Sequence, residues 1–296
     1  MFDAFDEGGG FGATHHRGEG WGRRGRHEGG APEVMGGAAG HGVTGMAFRD
    51  VLQHAYVREA ERDARGPADL RRLNGRLLCV LTACHEVDTA RRRLMGSLNT
   101  QQTLKSLAHL LAARGGAGLS PGTEQRKLTE MLADLRCTVE MATAMWEAAG
   151  RHFTRVTRLL PAQLDTNGTH FIPAAPTEID RLALEAQRQG DEAISKTPDG
   201  HRTSASDRFA QAKGTYLQAV MDWELAQARW AHADRVRQLA EPGCHTGSQG
   251  AMAFAQAVAG QEWQRSNLLM REAHACMTRH ALYAVALQLP AHFGVG

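Results

Sequence analysis

The side chains capable of chemistry are few and scattered. Cys84-His85 and His274-Ala-Cys276 each set a thiol beside an imidazole, the residue types that hold zinc or activate a cysteine nucleophile. Neither has the second ligand pair that a metal site needs, so both cysteines read as buried structural residues. His85 and Glu86 are adjacent and project to different helix faces, which argues against a local acid–base pair. Gly8-Gly-Gly-Phe-Gly12 follows no strand and opens no helix, unlike a phosphate-binding loop. No nucleophile elbow occurs. His15, His16, His27 and His41 lie in a glycine-rich run and read as solvent-exposed, and Arg91-Arg92-Arg93 reads as a solvated helix face. The expectation is a protein without catalytic, cofactor-binding or metal-binding residues, and not an enzyme.

Two glycine-rich turns stand out instead. Gly115 to Gly118, with Pro121-Gly122 behind them, and Pro242-Gly243 to Gly250 can both stop a helix and reverse the chain. If such turns project from a helical bundle, their residues are exposed for docking. The candidate docking residues are Gly118, Leu119, Ser120 and Thr123 in the first turn, and Gly243 and Gly247 in the second.

The elements that hold those turns are long. From Leu128 to Leu160 the apolar residues alternate at spacings of four and three, through Leu132, Leu135, Val139, Ala142, Trp146, Ala149, Phe153 and Val156. That 3.5-residue period is a coiled-coil seam, roughly 50 Å long at 1.5 Å per residue, interrupted only by Gly150. Such a stripe requires a partner. Leu70, Leu73, Leu77, Val80, Cys84, Val87, Leu94 and Leu98, then Leu104, Leu107 and Leu111, supply one, with Asp69 expected as its cap and Thr123 as the cap of the seam helix. A turn of about eight residues between two such helices makes them antiparallel. A shorter helix is expected from Met46 to about Arg65, another over about 177–195, and a long one from Ser204 to about Leu239, in which Phe209, Tyr216, Trp223 and Trp230 recur at intervals of seven. A final helix is expected over about 251–289.

Composition agrees with this reading. The chain has 34 basic and 32 acidic residues, a net charge of +2 and only 6% aromatic residues, which suits close-packed helices and excludes a dedicated nucleic-acid surface. Five cysteines cannot all pair within one chain, and no stretch of eighteen apolar residues or basic-then-apolar leader occurs. Residues 1–43 carry 14 of the 33 glycines and are expected to be a disordered tail. The expected domains are a first helical hairpin over 44–161, a linker with a short helix over 162–202, a second hairpin over 203–290 and a tail over 291–296. The two hairpins are related. Glu86 to Ala90 with Leu94 matches Asp222 to Ala226 with Trp230 at an offset of 136, and Gly118, Met141, Leu160 and Pro161 match Gly247, Met270, Leu289 and Pro290 at an offset of 129. The difference is one heptad, which leaves the seam in phase.

Cys79-Val-Leu-Thr-Ala-Cys-His-Glu-Val-Asp-Thr-Ala90 resembles the "AVLxALxEVExA" segment of TolC-like outer-membrane efflux proteins of the NodT type, and Tyr216-Leu-Gln-Ala-Val-Met221 resembles the "YRQAVL" lead into it. Ala117-Gly118-Leu119 with Thr123-Glu124 resembles the family's "GLxxxT-D" hairpin tip. The resemblance covers roughly residues 70–290. It implies two repeats of long helical hairpins, a homotrimer forming a helical periplasmic tunnel for passive efflux or secretion, tips that meet a periplasmic adaptor protein, and an inner-membrane pump behind the adaptor. The implied location is the outer membrane or periplasm; with no leader visible, an authentic N-terminus would instead make the chain cytoplasmic. The intervals 162–175 and 196–205 lack the ten-residue apolar alternation of a membrane strand. The expected fold is therefore all-α, long antiparallel coiled-coil hairpins in two repeats with little or no β-barrel. The alternative function is a soluble coiled-coil scaffold that binds other helices.

Overall fold

The computed structural model describes residues 45–60, 67–116, 122–165, 171–194, 204–245 and 247–295; the expected tail over 1–43 lies outside them. Val43–Gly296 forms one compact unit. Its helices are α1 (Phe48–Ala60), α2 (Pro67–Gly116), α3 (Gly122–Thr157), α4 (Pro176–Ile194), α5 (Ala205–Ala240), α6 (Ser248–Val285) and the short α7 (Leu289–Phe293), with 3₁₀ turns at 161–163 and 241–245. Among the described residues there is no strand, only a single parallel bridge between Met46 and Leu164.

The four long helices follow from the seam pattern, and the fold is the double antiparallel hairpin that pattern requires. The extensive interfaces are α2 with α3, α5 with α6, and α2 with α6. The spatial order is therefore α3–α2–α6–α5, with each helix antiparallel to its neighbour. Two apolar clusters hold the array. One, near the turns, gathers Leu104, Leu107 and Leu111 of α2, Leu128 of α3, and Ala251, Met252, Phe254, Ala255 and Val258 of α6. The larger one, at the opposite end or base, joins Leu77, Leu81, Cys84 and Val87 of α2 to Phe153, Phe209, Tyr216, Leu282 and Tyr283, and to α1, α4 and α7.

Helix ends show how the repeat works. Among the described residues only Arg158 (φ 66°) and Leu287 (φ 54°) are non-glycine residues with positive φ. They are 129 positions apart, the offset found in the sequence, and each lies three residues before the matched proline, Pro161 or Pro290. A left-handed residue terminates the second helix of each hairpin at a cost of about 1–2 kcal/mol, and the proline then stands in the first turn of a new short helix, where its missing donor is tolerated. Gly150, the lone glycine in the seam, is explained at the same place. A Cβ there would lie 3.1 Å from the Pro161 ring, so glycine lets the chain fold back over α3. Ser204 caps α5, accepting from the Asp207 N–H at 3.0 Å while Asp207 accepts from the Ser204 N–H at 3.3 Å.

Several expectations shift. Helix α2 starts at Pro67, so Asp69 lies inside it rather than capping it; proline is suited to the first helical position, where no donor is needed. Helix α3 starts at Gly122, which places Thr123 within its first turn. Helix α1 starts at Phe48, two residues after the expected Met46, and is described to Ala60; its expected continuation to Arg65 lies outside the described residues. The last long helix ends at Val285; beyond it Leu289 and, in the segment expected as a tail over 291–296, Val295 are buried. Asn74 explains this locally, because its buried side chain donates to the Leu70 carbonyl at 2.8 Å and accepts from the Leu289 N–H at 3.1 Å. The segment entering α4 is also tied down. The Ala174 N–H donates to the Tyr216 hydroxyl at 2.7 Å, the Phe171 N–H to Glu272 at 3.2 Å, and Arg279 to the Ile172 carbonyl at 2.8 Å.

Candidate assembly surfaces

Antiparallel pairing of α2 with α6 brings both hairpin turns to one end of the bundle. Arg114, in the last turn of α2, donates to the His245 carbonyl at 2.7 Å, so the first hairpin clasps the second at the tip. Cys244 is buried against the leucines of α2. Gly243 and Gly250 touch backbone to backbone: a Cβ on Gly250 would fall 2.0 Å from the Gly243 carbonyl oxygen. Gly247, the residue before α6, has extended backbone and open space around it. Thr123 is exposed. Gly118, Leu119 and Ser120 lie outside the described residues. Of the candidate docking residues, then, Thr123 is exposed and Gly247 half-buried at the tip, while Gly243 is engaged in its packing.

A second surface was not expected. Leu132, Leu135 and Val139 of the α3 seam are only partly buried, and Met141 is 64% exposed. Helix α3 has one extensive neighbour, so one flank of its seam opens onto a groove over α2 between α3 and α6. The groove holds about 470 Å³ and is lined by Met131, Leu135, Met141 and Met145 of α3, by Ser97 and Thr100 of α2, and by Trp263 and Met270 of α6. It continues toward the base past Ala149 and Met277. Met141 and Met270, matched in the repeat, face the same groove. Methionine is adaptable and apolar, the usual lining of a helix-accepting surface.

At the far edge of the array, α5 carries the opposite shape. Its buried residues are Phe209, Tyr216, Ala219 and Ala226; on the reverse side Leu217, Met221, Leu225, Val236 and Leu239 are exposed, Leu239 to 82%. An apolar stripe opposite the packing face is a ridge left exposed among the described residues. Ridge and groove stand at matching heights. Met221 and Leu217 lie 19 and 23 residues from the tip end of α5 at Ala240, and Met141 and Met145 lie 19 and 23 from the tip end of α3 at Gly122. Leu225 and Trp263 are each 15 residues from their helix ends at the tip.

The polar residues suggested by the sequence are structural. Cys84 is buried, and burial pushes its thiol far above the usual range; burial pushes Cys276 up to about 12. Neither is an available thiolate. Glu86 turns away from His85, as their adjacency requires, and its carboxylate meets Nδ1 of His152 on α3 at 2.6 Å, a pairing that no local spacing could reveal. Arg92 bridges Asp88 at 3.0 Å and Glu272 at 3.3 Å, while Arg93 donates to Ser266 at 2.7 Å. Two residues of the arginine run thus join α2 to α6. Among the described residues no group of three or more His, Cys, Asp or Glu side chains could hold a metal ion, and no helix is long and apolar enough to cross a membrane.

The class is defined at this point: an all-helical double hairpin with both turns at one end. No protein-family model matches the chain, and no curated protein is similar to it. A solved membrane protein from Pseudomonas aeruginosa is similar in structure, with a TM-score of 0.57 over 81% of this chain and 72% of that one, at 12% sequence identity. The outer-membrane channel OprN aligns with a TM-score of 0.49 over 84% of this chain and 71% of its own, at 13% identity. The first of these establishes a shared fold.

Proposed function

We propose that this protein is a TolC-like tunnel component that conducts solutes passively across the periplasm toward the outer membrane. The observation that carries the reading is the meeting of both hairpin turns at one end of an alternating four-helix layer that has an open groove beside α3 at one edge and an exposed apolar stripe on α5 at the other. In the order α3–α2–α6–α5, every contact is antiparallel. If the α5 ridge of one copy enters the groove beside α3 of the next, the alternation continues with all tips at the same end. Such a contact joins different surfaces of two copies, so it closes into a ring when the rotation allows. The resemblance to TolC-like proteins favours a homotrimer for that ring. The tip residues Gly118, Leu119, Ser120, Thr123, Gly243 and Gly247 would then form one rim for a periplasmic adaptor and, through it, an inner-membrane pump. The fold shared with a Pseudomonas membrane protein supports the same reading. No catalytic group is required, because the tunnel acts by assembly.

Leu225→Glu tests it by placing a carboxylate on the ridge at the level of Trp263. In the native cell the wild-type chain is expected to fractionate with the outer membrane and to migrate as a detergent-stable trimer; the variant is expected to be monomeric with unchanged helicity. A wild-type chain that is a soluble monomer or dimer, or a variant that still forms the trimer, overturns the reading and leaves the scaffold function.

A further inference from the structure

At the base of the bundle, away from the tip, aromatic and imidazole rings from four helices form a continuous stack. Phe48 of α1 meets the His85 ring of α2 edge-on at 5.0 Å. His85 stacks on His280 of α6 at 5.3 Å with 27° between planes. His280 contacts Phe293 of α7 at 5.2 Å and His292 at 6.3 Å, and His292 stacks on Tyr283 of α6 at 3.8 Å. Within this stack Nε2 of His85, Nδ1 of His280 and the Tyr283 hydroxyl are buried without a hydrogen-bond partner. Such unsatisfied groups are costly in a core made only for stability.

We propose that His85, His280 and His292 form an acid-sensitive latch: neutral, they hold α1 and α7 against α2 and α6, and on protonation they release these two short helices from the base. The inference is independent of the tunnel reading. The surroundings make the charged state untenable. From α2 the stack faces Arg92, itself paired with Asp88; from α6, Arg279 and Tyr283; from α4, Glu178 and Arg181; and α1 contributes Arg49, which reaches the Gly294 carbonyl at 3.4 Å. The carboxylates among these are committed, Asp88 to Arg92 and Glu178 to Arg279. Glu86, beside His85, is turned to His152 of α3. A proton on either stacked imidazole therefore finds guanidinium groups and a second imidazole, with no carboxylate of its own. Burial accordingly pushes His85 down to about 4 and lowers His280 and His292 from their ordinary value, with the neighbouring cations acting in the same direction and Glu178 opposing them at His292. The helices that would leave are the two shortest described, α7 with five residues and α1 with thirteen, and each contributes rings to the stack, Phe48 from α1 and His292 and Phe293 from α7.

Amide hydrogen exchange of the full chain at pH 7.5 and pH 5.0, corrected for the intrinsic pH dependence, tests the latch. The expected result is at least tenfold faster exchange at pH 5.0 in α1 and over 289–295, with the tip cluster around Leu104–Leu111 and 251–258 unchanged within twofold. His280→Phe, which keeps the ring contacts and removes the titrating nitrogens at the centre of the stack, is expected to reduce the acid response at least threefold at unchanged helicity; His85→Leu serves the same purpose should that variant fail to fold. Equal protection of the base at both pH values overturns the proposal. So does loss of protection spread equally over tip and base, or an acid response in the folded histidine variant as large as that of the wild type.

Discussion

Replacing Gly250 by alanine isolates what fixes the tip. Gly250 stands in the first turn of α6, where a Cβ would lie 2.0 Å from the Gly243 carbonyl oxygen and 2.7 Å from its carbon. Carbon and oxygen approach no closer than about 3.3 Å even in weak hydrogen bonds, so the two backbones must separate by more than about 1 Å. Neither side can yield by rotating a side chain. Overpacking of this kind costs about 1–3 kcal/mol, and the helix preference of alanine over glycine returns less than about 1 kcal/mol so near a helix end. The net expectation for Gly250→Ala is a loss of about 1–2 kcal/mol. Gly260 provides the control: it lies in the same helix, exposed, with nothing within 4 Å of the place its methyl group would take, so Gly260→Ala should stabilise by about 0.5–1 kcal/mol. Gly243→Ala, whose Cβ would meet only the Gly250 Cα at 3.8 Å, should fall between them. Urea denaturation followed by circular dichroism measures all three. A Gly250→Ala midpoint raised as much as that of Gly260→Ala would refute the close backbone contact as the constraint on the second turn.

The base offers two further tests. Asn74→Ala removes the acceptor for the buried Leu289 N–H and should cost about 1–3 kcal/mol, seen as a lower denaturation midpoint together with faster exchange of the Leu289 amide. Stability should also fall in acid. The folded His85 is held near 4 against an unfolded value of 6.5, so between those limits the unfolded chain binds more protons, and stability rises with pH. The contribution is full above about 6.5 and is lost progressively as pH drops toward 4; a shift of this size corresponds to about 3 kcal/mol for His85 alone. Denaturation midpoints measured from pH 7.5 to 4.5 check this, and a flat profile in the wild type would exclude a buried neutral His85.

The sequence by itself determined the elements and much of their pairing. Apolar residues every 3.5 positions specify long helices with one stripe to cover, and clusters such as Gly115 to Gly118 and Pro242-Gly243 specify where the chain reverses, because both facts reside in local backbone preference. The repeat was legible too: the 129-residue offset recurs in the left-handed residues Arg158 and Leu287. Part of the candidate site followed, since a turn between two long helices must lie at an end. Only the tertiary structure decided that both turns share that end, that α2 and α6 are the inner pair, and that Met141 and Met145 line an open groove beside the buried seam. A heptad pattern states that a stripe needs covering and carries no information about which helix covers it or how far around the cylinder the cover extends. The base stack is the clearest case. His85, His280 and His292 are separated by up to 207 positions, and no spacing along the chain relates them; they meet because two antiparallel hairpins return to the same base.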